Sequence, residues 1–207
     1  MGRVYEGITD ELDRWIGEQP VFFVATAVPD PDTHVNLSPR GLDAFRVLDP
    51  NRVAWLDLTG SGVETIAHLR AGGSAGGRIT LMFCAFEGPP QILRLYGHGR
   101  VHETGDRDFE GLRTHFPDLS GERAIIDVVV HRVASSCGFG VPLMELVGPR
   151  EELLVSAERK GPEKMAEYRD RRNTQSIDGL PGLGRAVPAQ TEHGWRKSGR
   201  DEQNDSV

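Results

Sequence analysis

Residues 52–69 read RVAWLDLTGSGVETIAHL, and the rest of the chain is read outward from them. The first half alternates as a strand does. The last third places Ile66, Ala67 and Leu69 at helical spacing. Between them, Thr59, Gly60, Ser61 and Gly62 form a turn of small residues. The expectation is a strand that runs into a tight turn and opens a helix from Ser61. Amides at a helix start, with the hydroxyls of Thr59, Ser61 and Thr65, make a seat for an anion such as phosphate. The same residues fit a plainer reading. Ser61 with Glu64 three positions on is a capping box, which uses those amides internally. The pattern is not a P-loop, since no Gly-Lys-Ser/Thr follows, nor a dinucleotide fingerprint, since the three-glycine spacing is missing.

Moving outward, Thr9 is placed to cap a short helix with Leu12, Trp15 and Ile16 on one face, ended by Pro20. Residues 21–28 form an apolar, β-branched run, and 33–37 read as the return strand of a hairpin. A short strand is expected at 45–48 and a strong one at 78–86, RITLMFCAF. The glycines of 72–77 read as a flexible connection. Residues 91–103 alternate, with Gly97 and Gly99 marking a bulge or a close backbone approach. A helix is expected over 106–116 and a strand over 123–135. The 136–148 segment is loop-like yet apolar, residues 153–155 fit either element type, and 163–172 form a polar surface helix. Six or seven strands in hairpin-like succession, with few short helices, favour an antiparallel barrel or sandwich over a doubly wound parallel sheet.

At 207 residues the chain fits one domain with terminal additions. Residues 1–150 are expected to form the barrel domain, 151–187 a helix-and-loop extension packed on the barrel or on a partner subunit, and 188–207 a disordered tail. A net charge of −7 argues against nucleic-acid binding, which demands clustered Lys and Arg. Two cysteines make neither a disulfide framework nor a Cys-rich metal site. Cys84 lies in an apolar run as a core thiol, and nothing near Cys137 in sequence lowers its pKa. His98 and His102 are four apart on a strand, about 13 Å, too far for one metal ion. No leader and no run of transmembrane length is present, so a cytoplasmic protein with no membrane partner is expected.

The order VNLSPRG (35–41), VAWLDLTGSGVETIAHL (53–69), RITLMFCAF (78–86) and ILRLYGHGRV (92–101) resembles the split-barrel flavoproteins related to pyridoxamine 5′-phosphate oxidase. The similarity covers about residues 15–135. SCGFGVP and SIDGLPGL resemble segments of one bacterial branch whose substrate is unassigned. The resemblance implies a mainly β fold with short helices, a six-stranded antiparallel split β-barrel. It implies FMN as cofactor and a homodimer with flavin at the subunit interface. By position, Ser38 and Arg40 would contact FMN from one strand. Trp55, Leu56 and Asp57 would lie along the isoalloxazine edge, partly through backbone groups. Ser61, Gly62, Thr65 and His68 would lie near the phosphate and ribityl chain. For His68 an i,i+4 pair with Glu64 is the plainer reading, and for Asp57 it is turn-capping.

Two departures bear on activity. The oxidases proper carry Ser-Arg-Lys where this chain has Gly62-Val63-Glu64-Thr65, which leaves Arg40 to supply the charge, assisted by Arg78 or Arg100. Their C-terminal Trp and Arg-x-His pattern is matched here only by Trp195-Arg196 in the polar tail. The expected function is therefore that of an FMN-dependent oxidoreductase on an unidentified small molecule, not on pyridoxamine phosphate. The alternatives are a deazaflavin-dependent reductase and a non-catalytic flavin or haem carrier or sensor. No catalytic side chain is assigned. FMN itself would carry the electrons, and the chain would position and tune it.

Overall fold

The computed structural model describes residues 2–184. The expected tail at 188–207, with Trp195-Arg196, lies outside the described residues. Among the described residues, chain order runs β1 (Arg3–Tyr5), α1 (Asp10–Gly17), β2 (Phe22–Thr26), β3 (Asn36–Arg40), β4 (Phe45–Asp49) and β5 (Arg52–Leu58). Then come α2 (Glu64–Ala71), β6 (Gly77–Cys84), β7 (Ile92–Glu103), α3 (Phe109–Arg113), β8 (Glu122–Ser136) and α4 (Glu152–Arg172). The strands form one antiparallel sheet in the order β3-β2-β6-β7-β8-β5-β4, with β1 added to the far end of β8. The fold is mainly β, a split barrel with short helices.

The sheet curls until its ends meet across a shared core. Phe22 of β2 lies 5.0 Å, centroid to centroid, from Phe45 of β4 and 5.9 Å from Trp55 of β5. Phe83 of β6 closes the same aromatic cluster. The alternation in β5 sends Val53 and Trp55 into this interior. Ala54, Leu56 and Leu58 face a second core shared with Phe109, Leu112 and Phe116 of the α3 region. Both faces of β5 are therefore covered, which is why the run is continuously apolar.

Several expectations need correction. Among the described residues there are eight strands, not six. The strand that sequence patterning misses is β1, three residues without apolar alternation. It forms because β8 outruns β5 and offers Val133–Ser135 as a pairing edge. The helix after the β5 turn begins at Glu64, not Ser61, and has no side-chain cap. The capping box does not form. The Glu64 carboxylate instead accepts the amide of Ile177 at 3.2 Å. Residues 72–77 are not slack. A Cβ on Gly77 would lie 2.4 Å from Leu69 Cα, so the glycine lets α2 seat directly on β6. The expected 106–116 helix shortens to α3. Residues 153–155 resolve as the start of α4, whose path breaks at Gly161 with φ 70° ahead of Pro162.

Two local expectations hold. Thr9 Oγ1 accepts from the Leu12 amide at 3.3 Å, and Leu12 and Ile16 are buried. The β7–β8 register shifts between Tyr96 and Gly97, where a Cβ would meet Val129 O at 2.3 Å. The extension folds back on its own barrel, and Leu180 and Leu183 are buried there. His34 Nδ1 meets Asp178 at 2.7 Å, tying the 175–184 segment to the β2–β3 hairpin. Among the described residues, no helix is long and apolar enough to cross a membrane.

Candidate functional site

Two buried polar networks converge on the β5–α2 junction. The first joins β2, β3 and α2. Ser38 donates to Asn36 Oδ1 at 2.9 Å, and Asn36 Nδ2 donates to Thr26 Oγ1 at 3.0 Å and Thr65 Oγ1 at 3.1 Å. Thr26 Oγ1 also pairs with His68 Nδ1 at 3.0 Å. His68 is buried, and its Nε2 has no partner among the described residues. Three expected site residues, Ser38, Thr65 and His68, are thus brought together. Asn36 is their hub. The i,i+4 reading of His68 with Glu64 gives way to this network, because Glu64 turns to Ile177.

The second network is ionic. Asp57, next to last in β5, is 1% exposed and faces two guanidiniums. Arg123 Nε donates to Asp57 Oδ2 at 2.7 Å, and Arg40 Nη2 lies 3.2 Å from Oδ1. Burial alone would push the Asp57 carboxyl up. The charges of Arg123 and Arg40 outweigh it and hold the carboxyl below its ordinary value. The Trp55 indole N–H contributes to the same field while falling short of hydrogen-bond geometry. Arg40 Nε is buried and unpartnered among the described residues.

The turn between the networks is open. Ser61 and Gly62 are exposed, and a Cβ on Gly60 or Gly62 would meet nothing within 4 Å. Arg123 Nη1 donates to Gly62 O at 2.8 Å, and Asn173 Nδ2 to Gly60 O at 3.1 Å. With its carbonyls held and α2 uncapped, the junction can receive an anion through amides and hydroxyls. Trp55 and Leu56 are each 1% exposed and sit in the two cores. Of the two assisting cations expected, Arg100 donates to Ser74 O, and Arg78 lies on the exposed face of β6; neither is bonded to the turn.

Residues that sequence reasoning missed are Asn36, Arg123 and Asn173. One signal for Arg123 existed. Asp57 is a lone carboxylate in an otherwise apolar strand, and a buried carboxylate requires a cation. Nothing in the sequence says which cation. A second ionic cluster, also unforeseen, lies on β5, β7 and β8. Arg52 clamps Asp127 at 2.9 and 3.0 Å, with His102 Nε2 at 3.7 Å. Burial would raise Asp127, but His102 and Arg52 bring it to about 2.

Two cavities, of about 830 Å³ beside α1 and the 86–91 turn and about 290 Å³ near Phe22 and Phe45, involve none of the expected cofactor residues.

No family model matches the chain. The pyridoxamine 5′-phosphate oxidase family protein ustO of Aspergillus flavus is 42% identical over 210 residues, covering 92% of this chain and 82% of that protein. A FAD-binding protein of Mesorhizobium loti aligns with a TM-score of 0.41 at 14% identity, covering 65% of this chain and 96% of that one. An FMN-binding protein of Syntrophomonas wolfei aligns at 0.38 and 13%, covering 60% and 89%.

Proposed function

The chain belongs to the pyridoxamine 5′-phosphate oxidase family, and from that premise we propose that it is an FMN-dependent oxidoreductase acting as a homodimer on a small molecule. The observation that carries the proposal is the open β5–α2 turn, next to networks whose buried polar atoms without hydrogen-bond partners among the described residues include the nitrogen pair Arg40 Nε and His68 Nε2, besides Asp57 Oδ1. Buried polar atoms in native proteins are almost always satisfied, so a missing polar partner is the physical reading of such a pair.

The residues present fit FMN. Arg40 and the Thr59–Gly62 turn would hold the phosphate. Ser38, Thr65 and His68 would lie toward the ribityl hydroxyls. FMN, when bound, supplies the electron and hydride chemistry. The chain orients it and keeps the buried networks fixed before binding. A second copy is supported by apolar side chains in the open: Val35 and Leu37 at 73% and 67% exposure, with Val129, Phe139 and Leu143. Pyridoxamine phosphate is disfavoured as substrate because Gly62-Val63-Glu64-Thr65 lacks the oxidases' basic pair.

The test is an absorption spectrum of purified protein before and after FMN addition and desalting, with light scattering on the same sample. Retained flavin bands and a dimer mass are expected, and Arg40→Ala should release flavin. A flat spectrum after loading refutes the reading.

A further inference from the structure

The β5–α2 turn is held from outside the barrel. Arg169 and Asn173 stand one helical turn apart at the end of α4, an element that neither the FMN-binding motif nor the barrel includes. Asn173 is 0% exposed. Its Nδ2 holds Gly60 O at 3.1 Å, and its Oδ1 accepts Arg123 Nη1 at 3.0 Å. Arg123 in turn holds Gly62 O at 2.8 Å. The Gly60 and Gly62 carbonyls are therefore bound by buried donors and do not face an incoming anion.

Arg169 Nη1 lies 3.5 Å from Thr59 Oγ1 and 3.4 Å from Glu122 O, two long contacts that leave most of its fork unused. Among the described residues no carboxylate pairs with it. The nearby Glu122 carboxylate is taken by Arg113 at 2.6 Å. Around the turn, three guanidiniums (Arg40, Arg123, Arg169) stand against two carboxylates, Asp57 and Glu64. The local balance is positive on a chain whose net charge is −7.

Resting on the flavin reading above, we propose that Arg169 and Asn173 make this turn selective for a phosphate monoester, so that the chain holds FMN in preference to unphosphorylated riboflavin. Arg169 supplies the mobile cation that the absent basic pair would have given. Asn173 sets the turn's conformation, binding Gly60 O and steadying the Arg123 guanidinium without adding a second carboxylate to it. Asn173 is a positioning residue, acting through Arg123 and Gly60.

The experiment titrates the full-length protein with FMN and with riboflavin, following flavin fluorescence, for wild type, Arg169→Gln, Asn173→Ala and Asn173→Asp. Circular dichroism monitors the fold. Wild type should bind FMN more tightly. Arg169→Gln should weaken FMN about tenfold, the worth of one charge-assisted hydrogen bond, and leave riboflavin within about twofold. Asn173→Asp keeps the side chain's size but adds a negative charge beside Arg123, and should weaken FMN more than Asn173→Ala does. Equal losses for both ligands would mean a merely structural role and overturn the proposal, as would an unchanged ratio in Arg169→Gln. Arg169 is partly exposed, so its substitution keeps the test valid where an Asn173 variant unfolds. Failure of wild type to bind either flavin would instead overturn the flavin reading itself, and this proposal with it.

Discussion

Arg123→Met removes the cation that matters most to the buried Asp57. The wild-type guanidinium makes three close contacts: Asp57 Oδ2 at 2.7 Å, Gly62 O at 2.8 Å and Asn173 Oδ1 at 3.0 Å. The variant keeps only Arg40, at 3.2 Å, beside a carboxylate that is 1% exposed. Deleting one partner of a buried pair costs about 3–5 kcal/mol, because the remaining charge is stranded out of water. For a chain of this size that lowers the thermal midpoint by roughly 6–20 °C.

The pH dependence gives a second, independent reading. In wild type the Asp57 carboxyl is held below its unfolded value, so its contribution is complete above about pH 4 and is lost as pH falls through the folded value. In Arg123→Met, burial dominates and the carboxyl rises above its unfolded value. That variant regains relative stability as acid neutralises it. The gap between the two proteins should therefore narrow from pH 7 toward about pH 4. Urea unfolding at both pH values, with equal m, measures it. Adding Asp57→Leu to Arg123→Met should recover much of the loss, since Arg40 is partly exposed and can turn to water. A gap below about 1 kcal/mol, a gap constant with pH, or a double variant no better than the single would refute the reasoning.

Two further outcomes follow from the packing and the outer ion cluster. Asp127→Asn should cost about 1 kcal/mol at pH 7, after allowance for partial solvent access, and progressively less as pH falls from about 4 through 2, because the Asp127 carboxyl is held at about 2, below its unfolded value. Urea midpoints across that window check it, and a pH-independent loss would count against it. Gly77→Ala should cost about 1–3 kcal/mol or more, since the new methyl lies 2.4 Å from Leu69 Cα and must push α2 off β6. A melting curve that matches wild type would show that α2 can shift freely.

The strand–turn–helix of 52–69 was legible because β5 is buried on both faces and its turn is rich in glycine. Such local signals need no knowledge of partners. Thr9, Leu12 and Ile16 were legible for the same reason. What failed were features decided at a distance. The Ser61–Glu64 box is a sound local motif, yet Glu64 is captured by Ile177, 113 residues away. The glycines at 72–77 carry a flexible-linker composition, but the opposed backbone of Leu69 is what requires them. β1 has no pattern of its own and exists only because β8 is long.

The candidate site divides along the same line. Ser38 and His68 came from a resemblance and Thr65 also from the hydroxyls of the expected anion seat, and the structure joins them through Asn36, a residue inside the VNLSPRG segment that holds Ser38. Asp57 was visible as a lone acid in an apolar strand, but its partner Arg123 lies 66 residues on, and Asn173 lies 50 residues beyond that. Each of these is an ordinary residue in its local setting: a charge at a strand start and an asparagine at a helix end. Only the curl of the sheet brings β3, β5 and β8 to one end of the barrel, and only the return of α4 adds the asparagine. Substitutions outside the recognisable motif, at Arg123, Arg169 or Asn173, should therefore alter the turn as strongly as substitutions within it. Motif matching would pass over them, whereas the carbonyls of Gly60 and Gly62 identify Asn173 and Arg123 directly, and the Thr59 hydroxyl identifies Arg169.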